Sequence, residues 1–203
     1  MNFYHTIGNS GQAEFKEKGS RFLAYAFSIK NKNDFKDDLE KLKKDHPKAS
    51  HYCFAYRIGY DGNNFRVSDD GEPSGSAGEQ ILSQIDAKQL CDVLVIVVRY
   101  FGGTLLGISG LVNAYKTATT LALQCTPILQ IPVEKNYILT FNYHEMNDVM
   151  HILKQYNCTI HNNETQLFCK IKAGIPVYRL PEISYALQNI LNLEMETDLT
   201  VPG

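Results

Sequence analysis

Residues 93–98, Val-Leu-Val-Ile-Val-Val, form an unbroken apolar run in which all but Leu94 are β-branched. The run is far too short to span a membrane and shows no polar alternation, so it reads as a strand covered on both faces. Such a strand is central in its sheet and needs apolar layers above and below it. Hydrophobic residues make up 44% of the 203 residues and charged residues 21%, a balance that supplies those layers and is far from the signature of disorder.

The flanking segments provide neighbours for this strand. Residues 14–18 and 21–29 read as a hairpin about a Gly19-Ser20 turn, with Phe22, Ala24 and Ala26 on one face and Leu23, Tyr25 and Phe27 on the other. A helix capped by Asn33 or Asp34 carries Phe35, Leu39 and Leu42 and closes at Pro47. Residues 51–58 and 65–67 flank Asp61-Gly62-Asn63 as a second hairpin. A loop at 69–78 precedes a short helix with Ile81, Leu82 and Ile85. Beyond the central strand Gly102-Gly103 break the run, and Ser109 stands where it would cap a helix whose apolar face includes Leu111, Tyr115, Ala118 and Ala122.

Thr126-Pro127 and Ile131-Pro132 interrupt the chain, and the domain boundary is placed there: 1–130 and 131–203. The second part predicts strand 133–141, a helix from Asn142 or Tyr143 to 155, strands 158–162 and 165–173, helix 181–190 and strand 192–199. Asn142 with Glu145 resembles a capping box, and Pro181 sits in the first turn of the second helix. The order βαββαβ is the ferredoxin-like arrangement.

Five cysteines without a C-x-x-C pair argue against a disulfide framework or a zinc knuckle and fit a reducing, cytoplasmic setting. Neither a signal peptide nor a membrane span is expected. Basic and acidic residues number fifteen and fourteen up to residue 130, and five and eight beyond it. Neither half is basic overall, so nucleic-acid binding through phosphates would depend on a local patch such as Lys41, Lys43, Lys44 and Lys48.

Two segments are candidates for chemistry. Asp69, Asp70 and Glu72 place three carboxylates within four residues, a set suited to a cation or to acid/base work, and Ser74 and Ser76 are conceivable nucleophiles. The same residues equally describe a turn-rich loop whose side chains cap the next helix; neither EF-hand spacing nor a G-x-S-x-G elbow frames them. In the second segment Arg99, Tyr100, Gly102, Gly103 and Gly107 lie where a strand runs through glycines into a helix, a layout that offers backbone N–H groups to an anion. Gly102 and Gly107 have phosphate-loop spacing, but Ile108 stands where that motif requires lysine, which disfavours nucleotide hydrolysis. His51 and Arg57 share one face of a strand and, with Arg99, outline a small polar site. No metal or cofactor is expected, and no catalytic residue is assigned.

These two segments, residues 68–78 and 95–107, resemble the signature of the YigZ/Impact family. The resemblance implies an α+β protein of two domains. The first would have the ribosomal-protein-like βαβ fold seen in domain IV of elongation factor G, and the second would be a ferredoxin-like domain similar to that factor's domain V. In the eukaryotic Impact branch the shared domain belongs to a regulator of the kinase that controls translation initiation. The chain departs from the family pattern at Glu79-Gln80, where a basic or neutral residue and then proline are common, and at Asn113, where arginine is frequent. Three functions are weighed. The first is a non-enzymatic, translation-associated binding protein whose partner is the ribosome, RNA or a translation-related protein. The alternatives are a small-molecule hydrolase or transferase with an anion or metal site at the two loops, and a pure protein-interaction domain.

Overall fold

In the computed structural model, which describes residues 1–165 and 168–198, the apolar run lies in the middle strand of a five-stranded sheet. The chain divides into two compact units, Tyr4–Ile131 and Pro132–Gly203 with Met1–Phe3. The first unit contains β1 (Phe3–Ile7), β2 (Gly11–Glu17), β3 (Ser20–Ser28), α1 (Lys32–Asp45), β4 (His51–Ile58), β5 (Asn64–Ser68), α2 (Gly78–Ala87), β6 (Val93–Tyr100), α3 (Gly107–Gln124) and β7 (Ile128–Pro132). Its sheet has the order β2-β3-β6-β4-β5, and every neighbouring pair is antiparallel.

β6 is buried on both faces because alternate residues belong to different cores. Val93, Val95 and Val97 join Phe22, Ala24, Ala26, Cys53 and Ala55 against α2 and α3. Leu94, Ile96 and Val98 join Phe54, Tyr56 and Ile58 beneath Phe35 and Leu42 of α1. The small residues of β3 and β4 lie under the helix pair, which lets α3 settle close to the sheet through Ala114, Ala118 and Ala122.

The local signals shift where tertiary geometry intervenes. The first hairpin turns at Lys18-Gly19, with φ of +44° and +80°, rather than at Gly19-Ser20; two left-handed residues match the twist of the paired strands, and Ser20 already begins β3. The cap of α1 is Asn31, not Asn33 or Asp34. Its side chain accepts from Asn33 N at 2.8 Å and Asp34 N at 3.2 Å, while the Asp34 carboxylate bonds back to Asn31 N. Ser109 does not cap α3, which starts at Gly107 without a side-chain cap. β1 and β7 have no counterpart in the sequence reading. They pair with each other from opposite ends of the unit, and no local pattern announces so distant a partner.

The second unit contains β8 (Glu134–Phe141), α4 (Met146–Gln155), β9 (Thr159–Thr165), β10 (Cys169–Pro176), α5 (Leu180–Gln188) and β11 (Glu194–Thr197). The sheet order β11-β8-β10-β9, antiparallel throughout, is that of a ferredoxin-like βαββαβ domain. Leu139, Phe141, Ile171, Ala173 and Ile175 pack under Val149 and Leu153 of α4 and Ile183 and Leu187 of α5. A 3-10 turn, Tyr143–Glu145, precedes α4, and the Asn142 side chain makes no capping bond. Gln166 and Leu167, within the expected strand 165–173, lie outside the described residues, as does Leu199 at the end of 192–199. Among the described residues no helix is long and apolar enough to cross a membrane. The architecture is α+β in two units.

Candidate functional site

Antiparallel pairing of β4 with β6 sets His51 opposite Arg99. The 69–78 loop closes over this end of the sheet, and backbone hydrogen bonds dictate its path. Asp69 Oδ1 accepts from Ala77 N at 3.0 Å and Gly78 N at 2.8 Å, and its Oδ2 accepts from Gly75 N at 2.9 Å. This carboxylate therefore caps α2 across the loop, a service that Ala77 at the cap position has no side chain to perform. Asp70, at φ +45°, ties the loop to β4: its Oδ2 accepts from Tyr52 N at 2.6 Å and its carbonyl from His51 Nδ1 at 2.8 Å.

Held in this way, the loop turns Glu72 inward. Glu72 Oε1 accepts from Arg99 Nη1 at 2.6 Å and from the Tyr115 hydroxyl at 2.8 Å, and His51 Nε2 lies 3.9 Å away. The Arg99 guanidinium lies over the Phe22 and Phe101 rings, 5.3 and 5.7 Å from their centroids, and donates a long bond to Ser20 Oγ; its buried Nε has no hydrogen-bond partner among the described residues. Behind this pair Cys53 Sγ is 3.2 Å from the Tyr115 hydroxyl and 3.0 Å from Asp69 O, and its single S–H serves one of them at a time. Burial pushes the Cys53 thiol and the Tyr115 phenol far up, and the Glu72 charge adds to both, so each stays neutral and donates.

Above this floor opens a pocket of about 330 Å³. His51, Glu72 and Arg99 line it at the bottom, and Pro73, Phe101, Leu105, Leu106, Ile108 and Leu111 form walls of apolar surface. Leu105 is 83% exposed, Ile108 65% and Phe101 49%, an apolar rim at the start of α3. The floor carries charge but little net charge, because the Glu72 carboxylate and the Arg99 guanidinium offset one another at hydrogen-bond distance.

Of the residues singled out from sequence, His51, Glu72, Arg99 and Gly107 line this pocket. Gly102 stands beside it, its backbone pressed against Gly19 and its N–H bonded to Ser20 Oγ. Gly103 takes φ +84° in the same turn. Asp69 and Asp70 act on the backbone, and buried Ser76 donates its hydroxyl to Pro73 O at 2.6 Å, while Ser74 is exposed in the turn. The structure does not bring Arg57 to the site. Six residue steps along an extended strand separate it from His51 by about 20 Å, and it bonds Asp86 Oδ1 at 2.8 Å. Tyr100 faces the other side of the sheet, where its hydroxyl meets His46 Nδ1 at 3.0 Å. Sequence reasoning passed over Tyr115, Cys53 and Ser20. The available signal was a tyrosine on an otherwise apolar helix face, whose hydroxyl needs a buried partner.

Comparison with known proteins places this geometry in a family. Residues 18–123 match the model of the Impact N-terminal domain, which contains the whole pocket. The chain is 34% identical over 173 residues to the IMPACT family member YigZ of Escherichia coli strain K12, covering 84% of each chain. It is also 34% identical over 161 residues to an IMPACT family member of Haemophilus influenzae, covering 78% of each. A crystal structure described as that of a hypothetical protein superposes with a TM-score of 0.79 at 28% identity, covering 99% of this chain and all of that one. With the matching domain model and relatives alike over most of their length, this chain belongs to the Impact family.

Proposed function

We propose that the chain is a translation-associated regulatory protein that acts by binding, and that it docks a protein partner in the pocket between the 69–78 loop and the start of α3. The translation setting rests on likeness to the Impact branch; the mode of docking rests on the pocket. The observation that carries it is the exposed apolar rim of Phe101, Leu105 and Ile108 around a floor whose charges are internally matched. Phosphate recognition calls for unmatched cations, and Arg99 is committed to Glu72. The lysines of α1 belong to the layer on the other side of the sheet.

A hydrolase or transferase reading finds less support at this site. Asp69 and Asp70 are engaged by backbone N–H groups, and Ser76 and Cys53 are buried with their hydrogens held internally.

The immobilised chain, presented with purified ribosomes and with nuclease-treated lysate, tests the reading. Capture of a translation-related protein is expected to survive nuclease and raised salt and to be lost in Leu105→Asp and Ile108→Asp. Binding that vanishes with nuclease or falls steeply with salt would assign the contact to nucleic acid instead, and no capture at all would overturn the proposal.

A further inference from the structure

The pocket floor has a hydrogen-bonding polarity that specifies its occupant. A backbone carbonyl can only accept, so the 2.8 Å contact between His51 Nδ1 and Asp70 O places a proton on Nδ1. In the neutral imidazole Nε2 is then a bare acceptor. It lies 3.9 Å from Glu72 Oε1, beyond hydrogen-bond reach, and faces a carboxylate that is also an acceptor. Both hydrogen bonds to Glu72 fall on Oε1, and Oε2 accepts none among the described residues. With His51 neutral, Nε2 and the Glu72 carboxylate present two acceptors at the base of a pocket with apolar walls, where one donor on a bound group would meet both.

The donor's charge is constrained as well. Arg99 already neutralises Glu72, so an ammonium group would bring an unmatched positive charge into a recess where Glu72 and Arg99 are both at least nine-tenths buried. A neutral O–H or N–H carried on an apolar body satisfies both requirements. The walls favour a flat ring: Phe101 offers a half-exposed aromatic face beside Leu105, Leu106 and Ile108. The volume of about 330 Å³ is at the small end for ligand sites, suited to one side chain rather than an extended segment.

We infer that the pocket takes a tyrosine or tryptophan side chain of the docked protein, whose O–H or N–H is donated to the acceptor pair formed by His51 Nε2 and the Glu72 carboxylate. This rests on the docking role proposed above and adds the chemistry of the anchor. Aromatic residues with one polar tip dominate the energetics of protein interfaces when they enter a desolvated pocket.

These 203 residues contain no tryptophan, so an indole probe excited beyond tyrosine absorption reports binding through its own fluorescence against a dark background. N-acetyl-tryptophanamide is titrated by fluorescence, and it and N-acetyl-tyrosinamide by protein-observed NMR, with N-acetyl-phenylalaninamide and N-acetyl-lysinamide as comparators. The tyrosine and tryptophan probes are expected to bind with millimolar dissociation constants, about tenfold tighter than the phenylalanine probe, which leaves both acceptors unmatched. His51→Leu should erase the advantage over phenylalanine, and Leu105→Asp should weaken all three aromatic probes. If His51→Leu fails to fold, the tyrosine-to-phenylalanine ratio on the unaltered chain decides alone. Equal binding of phenylalanine, preference for lysine, or no binding by any probe overturns the inference. Should the probes fail while Leu105→Asp still abolishes capture of the partner, docking stands and only the aromatic anchor falls; should they bind while capture ignores Leu105→Asp, docking falls instead.

Discussion

The backbone of Gly102 lies directly against that of Gly19, so close that a Cβ on Gly102 would fall inside the van der Waals shell of the Gly19 carbonyl carbon and of Ser20 N. The contact joins the tip of the β2–β3 hairpin to the turn that leaves β6, and the Ser20 hydroxyl seals it by accepting from Gly102 N at 3.1 Å. Gly102→Ala must push two backbones apart and is expected to destabilise the first unit by about 2 kcal/mol or more. Gly103→Ala meets open space and suffers only from its φ of +84°, a cost of about 1 kcal/mol. Urea denaturation of the two variants measures the difference, and equal losses would contradict the close approach.

Asp69 organises the loop by accepting from three of its backbone N–H groups. Asp69→Ala removes the acceptor of three backbone N–H groups at once and should cost about 2–3 kcal/mol, more than the loss of an ordinary helix cap. Asp70→Ala, which frees only Tyr52 N, should cost about 1 kcal/mol. Chemical denaturation of both variants checks the order.

Glu72 and Arg99 form a buried ion pair, in which loss of one member strands the other. Glu72→Ala and Arg99→Ala should each destabilise by about 3–5 kcal/mol, whereas Glu72→Met with Arg99→Met should recover much of that loss, since no uncompensated charge remains. A double-mutant cycle reads the coupling. Additive losses would show that the pair is not coupled in the folded state.

The cysteines should react with iodoacetamide in an order set by exposure and ionisation. Cys125 is exposed and should be alkylated first. Cys158 is partly buried, with its thiol pushed up to about 11 by burial, and should follow slowly. Cys53 and Cys169 are buried and should react only on unfolding; in Cys53 the thiolate is further disfavoured by Glu72. Mass spectrometry of timed digests gives the order, and early labelling of Cys53 would show that the floor of the pocket opens.

Much of the fold can be read from local pattern. The β-branched run 93–98 announces a doubly covered strand, the alternation in 21–29 marks a strand that feeds two cores, and the order of periodicities from residue 133 onward spells βαββαβ. Each of these is written in a single stretch of chain, because burial on one face or two imposes its own period on the residues concerned. Caps and turns differ from the local expectation by one to three residues because their side chains answer to backbone geometry as well as to neighbours in sequence. Asn31 and the Lys18-Gly19 turn are examples.

The candidate site was legible only as a list of unusual residues. Residue type alone marked Asp69, Glu72 and Arg99 alike. Which of them would cap a helix, which would pair inside the protein and which would face a pocket depended on partners distant in sequence: Ala77 and Gly78 for Asp69, Tyr115 and Arg99 for Glu72. By itself the sequence determined most of the elements, though not β1 and β7, together with the family and the chemistry available. Only the tertiary structure decided that Arg99 would meet Glu72 and that Arg57 would pair with Asp86. The reason is physical: a side chain's charge and hydrogen-bonding capacity are intrinsic to the residue, but what they act upon is set by contacts that close only when the sheet and its helices pack.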